Sequence, residues 1–307
     1  MGGLIIPPIF LNFIFMKSNI IEPEYIEKAN SIPTLKKFAL ELEKLNSYDI
    51  FSLESNFADL SKGDLINELL QFELSKLASD ELYFPSNSTY TFLSLLKSKF
   101  SNLTMIHSLN IDYTKLKGYT ASSSDTMVLS LTKRPIKYSL YRQNNPFPLE
   151  ILDKTKTLEL VADNLTLNYG DVLKLKEHID VLVYNETGDE DILTLILVST
   201  LESGILWDYD RDFKPYAIVS GNQDSSRLEH LCTMFGELGH ESSLNSLEKL
   251  IENPYFNVRW AAAKAIMLIN TDEGLKALEK LTKDEHPDVR DSAIKHLIQV
   301  KTFLNIN

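Results

Sequence analysis

The chain lacks several things, and each lack excludes something. It has one cysteine, Cys232, in 307 residues. No internal disulfide can form, which fits a reducing compartment and a cytoplasmic protein. Its six histidines are scattered without a shared local spacing. There is no His-Glu-x-x-His, no Gly-x-Ser-x-Gly and no Gly-rich phosphate loop of the Walker type. Positive charge is short as well: 31 Lys and Arg stand against 43 Asp and Glu, for a net charge of −12. The deficit is local. Residues 1–149 hold 15 basic and 15 acidic groups, residues 150–221 hold 6 and 15, and residues 222–307 hold 10 and 13. A middle segment so acidic repels phosphate backbones, so no nucleic acid is expected as a partner. Long hydrophobic runs are missing too. The opening "MGGLIIPPIFLNFIFMK" is apolar over only about 15 residues and is interrupted by Pro7 and Pro8. A bilayer span needs about 20. No basic region precedes the run and no small-x-small cleavage site follows it. Residues 1–22 therefore read as an apolar extension, or as a start placed too early with Met16 as the true one; no membrane role is expected. Four Asn-x-Ser/Thr triplets, at Asn87, Asn102, Asn164 and Asn185, follow from Asn-rich composition rather than from glycosylation.

What is present falls into three textures. Residues 23–100 read as a helical region. Leu35, Phe38, Leu40, Leu42 and Leu45 recur near helical spacing behind Pro33, and Leu65, Leu69, Leu70, Phe72 and Leu77 do so behind Ser61 and Asp64. Ser61 is the expected N-cap. "NSTYTFLSLLKSKF" (87–100) is expected as a third helix. From 101 to 221 the texture is that of strands: "DTMVLSLT", "IKYSLYR", "TLELVA", "LTLNYGDVLKLKEHIDVLVYN", "ILTLILVSTL", "GILWDYD" and "PYAIVSG". These short β-rich runs are bounded by Gly, Asn, Asp and Pro and leave no room for crossover helices, which predicts an antiparallel sandwich or barrel.

Residues 222–307 say nearly the same thing twice. A shift of 31 residues superposes "SLEKLIENPYFNVRWAAAKAI" on "ALEKLTKDEHPDVRDSAIKHL". Leu247 falls on Leu278, Val258-Arg259 on Val289-Arg290, Ala262 on Ala293, Lys264 on Lys295 and Ile266 on Leu297. Each unit holds two short amphipathic helices, and a period near 30 with paired helices marks a solenoid. Ala261, Ala262 and Ala263 favour helix and allow close helix approach. Pro287 and Asp288 suit a first helical turn.

These motifs resemble HEAT-like repeats, of the short kind first noted in phycobilin lyases, over roughly residues 225–300. "HPDVRDSAIKHL" follows that pattern, while "NPYFNVRWAAAKAI" has Asn257 in place of its acidic residue. The resemblance implies that Arg259 and Arg290 reach acidic groups of the next turn as a ladder. "LTLNYGDVLKLKEHIDVLVY" resembles the Gly-Asp turn of a cupin-type jelly roll. A metal-binding cupin follows that Gly with His-x-His and Glu. Here Gly170 is followed by Lys176, His178 and Asp180, so one ligand is wrong, the spacing departs by two, and no later His falls in the β region. Three or four convergent ligands are needed for a metal. The resemblance therefore implies a metal-free cupin-like domain with no cofactor.

Other constellations give less. Asp208, Asp210 and Asp212 in "WDYDRD" open like a calcium loop, but Phe213 stands where Gly is required and Val219 where Glu is. His230, Cys232 and His240 are wrongly spaced for one helical face, and Cys232 reads as core. "GDED" (188–191) reads as a solvated turn. In "KRPIKYSLYR", alternation sends Lys137, Ser139 and Tyr141 to one face and Tyr138, Leu140 and Arg142 to the other. With no catalytic set assembled, the expectation is a multidomain α and β protein: helical N-terminal region, antiparallel jelly-roll-like middle, short α-solenoid. It would be a non-catalytic interaction or scaffold protein. A protein partner, a basic surface being one candidate, or a second copy would meet Arg259, Arg290, Phe303 and Leu304. The alternative is a cupin-like small-molecule sensor or weak enzyme with its site in the β domain.

Overall fold

The computed structural model describes residues 20–85, 87–108, 118–143, 151–185, 191–202 and 204–304. The apolar extension through residue 19, residues 188–190 of the acidic turn and the last three residues lie outside them. The N-terminal helices are α1 (Pro23–Ser31), α2 (Pro33–Leu42), α3 (Glu54–Ala58) and α4 (Leu65–Ser79). Prolines open α1 and α2, where the missing N–H costs nothing. Proline also pushes the residue before it out of helical conformation, so Ile32 is extended (φ −112°, ψ 103°) and separates α1 from α2. Asp64, not Ser61, is the N-cap of α4; Ser61 lies in a short 3₁₀ turn and bonds back to the Ala58 carbonyl. Leu35, Phe38, Leu42, Leu65 and Leu69 are core as expected, whereas Leu40, Leu70 and Leu77 are exposed.

The strands are β1 (Phe92–Lys97), β2 (Ser101–Ser108), β3 (Tyr119–Thr120), β4 (Thr126–Ser130), β5 (Ile136–Arg142), β6 (Glu159–Leu167), β7 (Val172–Leu175), β8 (Asp180–Tyr184), β9 (Ile192–Ser199), β10 (Ile205–Tyr209) and β11 (Pro215–Ser220). Residues 92–97 are thus strand, not the third helix expected over 87–100. A short apolar run does not by its periodicity distinguish helix from strand. Pairing with β2 decides it, and a bulge between Ser94 and Leu96 lets Leu95 and Leu96 both be buried.

One layer has the order β1-β2-β9-β4-β7. The other contains β6-β5-β8 and β11-β10-β3, joined at Ser122. Its carbonyl accepts from His178 N (2.9 Å) and its N–H donates to Asp180 O (3.1 Å). Taken in chain order, β2 to β9 fill one layer as β2-β9-β4-β7 and the other as β3-β8-β5-β6. Every recorded pair is antiparallel. That is the eight-stranded jelly roll shared by capsid, lectin and cupin domains.

Alternation along β9 and β4 sorts two cores. Leu195, Leu197, Met127 and Leu129 point outward to Tyr25, Leu35, Phe38 and Phe57 of the helical layer. Val128 and Ile196 point inward to Tyr138, Leu140, Leu173, Leu182 and Tyr184, which pack together between the layers. Lys28 fastens the helices to the sheet: it is 7 % exposed, donates to the Ser94 carbonyl (3.1 Å) and sits 3.0 Å from Glu73.

The C-terminal helices are α5 (Gln223–Leu238), α6 (Leu244–Leu250), α7 (Phe256–Ile269), α8 (Thr271–Leu281) and α9 (Pro287–Leu304). The 31-residue shift carries the end of α6 onto the end of α8 and the start of α7 onto the start of α9. Asn222 ties this solenoid to the jelly roll. Its Oδ1 caps α5 at Ser225 N (2.8 Å) and its Nδ2 donates to Tyr255 Oη (2.9 Å). Tyr255 lies on Gly204, where any Cβ would come within 2.6 Å of the ring. Asn257 donates to Ser220 Oγ (2.7 Å), and that hydroxyl donates to Glu229. This accounts for the departure of the first repeat at 257. The acidic residue of the second repeat would bring a carboxylate, with nothing to donate, to a hydroxyl already spent on Glu229.

Candidate interaction site

Arg259 is where the repeat does its clearest chemistry. Its position on α7 aims it at the turn between α8 and α9. Nε and Nη2 donate to Asp284 Oδ2 and Oδ1 at 2.8 and 2.6 Å. Nη1 donates to the carbonyls of Asn253 (3.0 Å) and Pro254 (3.2 Å). The pair is buried, with side chains 7 % and 4 % exposed. Burial pushes the Asp284 carboxyl up, but the Arg259 bonds and the His286 N–H outweigh it and hold the group below the usual carboxylate range. Arg290 repeats half of this. Its Nη1 donates to the Asp284 carbonyl at 3.1 Å, as Arg259 Nη1 does to Asn253. Its nearest carboxylate is its own neighbour, Asp291, at 3.8 Å, and its side chain is 40 % exposed. The ladder therefore has one rung. Arg259 is spent inside the chain, while Arg290 stands at the surface.

Apolar side chains are also exposed here. Ile294, Ile298 and Phe303 of α9 are 42 %, 61 % and 84 % exposed. Leu231, Met234 and Leu238 of α5 and Leu268 of α7 are exposed as well. Phe303 stands open rather than folded back as a cap; the side chain of Leu304 lies outside the described residues. Sequence reading passed over Ile294 and Ile298. The signal was available, since the shift that matches Arg259 to Arg290 matches them to Ala263 and Met267.

The remaining candidates have structural employment. Gly170 (φ +83°) makes the Gly-Asp turn, with Asp171 accepting from Asn168 N at 2.8 Å. His178 (φ +58°) lies in the turn between β7 and β8, its Nε2 3.1 Å from Glu177. Asp180 is buried and holds Lys176 N and Arg142 Nε, each at 2.8 Å. Among the described residues, no three of His, Cys, Asp and Glu converge as a metal set. Asp210 closes the β10–β11 turn on the amides of Asp212 and Lys214. Cys232 is core, and burial pushes its thiol up to about 11. The irregularities between β5 and β6 lie in β6, and β5 keeps its alternation: Tyr138 and Leu140 join the interior, while Tyr141 stacks on Phe213 at 3.9 Å on the other face.

The β7–β8 turn makes a pH prediction. Burial and the Asp125 charge raise the Glu177 pKa, and burial lowers that of His178. A raised carboxyl contributes stability below its unfolded pKa and loses it as pH rises. Glu177→Gln should therefore raise the melting temperature at pH 7 by about 1–3 °C, with the gain vanishing below about pH 4. Calorimetry across that range checks it; a variant less stable at pH 7 would refute the sign. His178 works the other way, its stability being lost as pH falls below its unfolded value.

Residues 218–298 match the family model described as HEAT repeats. The C-terminal part is thus a short HEAT-like solenoid, set beside a jelly roll. No curated protein matches the chain by sequence. Solved structures similar to it include a putative mannose-6-phosphate isomerase from Ralstonia eutropha JMP134, at 14 % identity over 39 % of this chain and 93 % of that one, with a TM-score of 0.22. A cupin family protein with a double-stranded β-helix fold, from Methanocaldococcus jannaschii, shows 8 % identity over 38 % and 86 %, with a TM-score of 0.24. A double-stranded β-helix protein from Klebsiella pneumoniae shows 11 % over 47 % and 94 %, with a TM-score of 0.22. The jelly-roll assignment rests on the strand order. Among the described residues, no helix is long and apolar enough to cross a membrane.

Proposed function

We propose that the protein is a non-catalytic interaction protein that binds a protein partner through its HEAT-like solenoid. One observation carries this reading: the terminal helix α9 leaves Ile294 and Ile298 open on the same face as the half-exposed Arg290, with Phe303 open near its end. Clustered exposed apolar groups rimmed by charge are the usual mark of a protein-binding surface. HEAT-like solenoids generally serve protein interaction, which supports the same reading. The jelly roll, whose interior is occupied by its own side chains, supplies the base on which the solenoid is docked. Arg290, Phe303 and Leu304 belong to the proposed contact set. Arg259 holds the solenoid in shape.

The test is affinity capture from native lysate with mass spectrometry, comparing the full-length protein with an Ile298→Glu/Phe303→Glu variant of unchanged melting temperature. A protein held by the first and lost by the second supports the reading. No capture, or equal capture by both, overturns it.

A further inference from the structure

The solenoid carries an internal template for what binds its end. On α7, Arg259, Ala263 and Met267 form one row, each residue four after the last, so they lie along one face of the helix. That face seats α8. Ala263 is fully buried, Arg259 is 6 % exposed, and a Cβ on Gly274 of α8 would meet the Met267 Cα at 2.5 Å. Arg259 takes the carboxylate of Asp284 from the turn that follows α8. Shifted by 31 residues, the row becomes Arg290, Ile294 and Ile298 on α9. The inner positions of the two helices keep their burial: Val258 and Val289 are 0 % and 2 % exposed, Ala262 and Ala293 both 0 %. The seat row opens, to 42 % at Ile294 and 61 % at Ile298, as does exposed His296 where Ala265 is buried; Arg290 keeps its carbonyl bond but, among the described residues, has no aspartate across from it.

Resting on the interaction reading above, we propose that this row on α9 seats a helix of a partner protein that is followed by an aspartate, with Arg290 selecting for that carboxylate. The seated helix repeats the chemistry of α8. It presents a small residue to Ile298, as Gly274 does to Met267, an apolar face like that of Ala277, Leu278 and Leu281, and an aspartate ten residues after the small one, as Asp284 follows Gly274. A second copy of this chain does not fit. Its matching surface is buried in its own fold, with Leu278 4 % and Leu281 2 % exposed, and each chain carries −12. The bidentate Arg–carboxylate geometry supplies the selectivity, because a lysine or an amide cannot reproduce both bonds.

The probe is a lactam-stapled, fluorescein-labelled peptide copying residues 270–286, titrated with the full-length protein by fluorescence anisotropy. Binding is expected, weakened about tenfold by Arg290→Ala in the protein, and by a similar factor when asparagine replaces the aspartate at position 284 of the peptide. The two losses should be non-additive, since each removes the same contact. Ile298→Glu should abolish binding. No binding at about 1 mM peptide, or binding indifferent to Arg290 and Ile298 (the peptide then merely exchanging with α8), overturns the proposal. Lysate capture that Ile298→Glu abolishes but Arg290→Ala leaves unchanged would keep the interaction reading and sink the aspartate-bearing helix.

Discussion

Arg259→Met is expected to cost about 3–5 kcal/mol of solenoid stability and to lower its melting temperature by roughly 10 °C or more. The side chain leaves four hydrogen bonds behind it: two to Asp284 and one each to the carbonyls of Asn253 and Pro254. The Asp284 carboxylate, 4 % exposed, then stays buried with only the His286 N–H at 2.8 Å. That orphaned charge is the main cost, since an ion pair in the interior is worth less than the penalty for breaking it. Replacing both partners with apolar residues should recover much of the loss. Acid gives the second arm. In the wild type Asp284 titrates below its usual range, so its stabilisation is present above the unfolded pKa and lost as pH falls through the folded one. In the variant the Arg259 bonds no longer oppose burial and only the His286 N–H does, so the pKa rises from its wild-type position. The gap between the two proteins should therefore be widest near neutral pH and narrow towards about pH 3. Equal melting temperatures at pH 7 would show that the clamp contributes nothing.

Gly274→Leu should cost about 3 kcal/mol, near the upper end for overpacking. Intrinsic propensity points the other way, because a glycine inside a helix is about 1 kcal/mol worse than alanine. Packing wins at this position. A Cβ there would lie 2.5 Å from the Met267 Cα and 2.9 Å from its Cβ, so the obstacle is backbone, and rotation of the Met267 side chain does not remove it. Only separating α8 from α7 does, which also pulls Asp284 away from Arg259. Gly274→Ala should lie between, losing about 1–2 kcal/mol. A thermal melt in which the alanine variant matches or exceeds the wild type would mean that α8 does not approach α7 this closely.

Much of the architecture was legible because it is periodic. The 31-residue repeat announces paired helices wherever Leu-Glu-Lys-Leu and Val-Arg recur, and it places Arg259 and Arg290 at equivalent positions. The seven β-rich runs became β4 to β11 because turn residues bound them on both sides. Residues 87–100 do not declare their state, because a four-residue apolar core, Phe92 to Leu96 around Ser94, fits either period. Its strand state comes from β2, which lies across a turn and carries no local signal. Leu40, Leu70 and Leu77 share the helical spacing of the core yet are exposed, because spacing reports that a face is apolar, not whether anything covers it.

The same limit separates the two arginines. By itself the sequence determined the repeat unit, the antiparallel β character, the lack of disulfides and the equivalence of residues 31 apart. Tertiary structure alone decided that Arg259 is buried and clamped while Arg290 faces solvent, and that Ala263 is covered while Ile294 is not. Equivalent positions carry equivalent chemistry, but their burial depends on whether a neighbour is stacked against them, and stacking is a property of the assembled solenoid rather than of any one repeat.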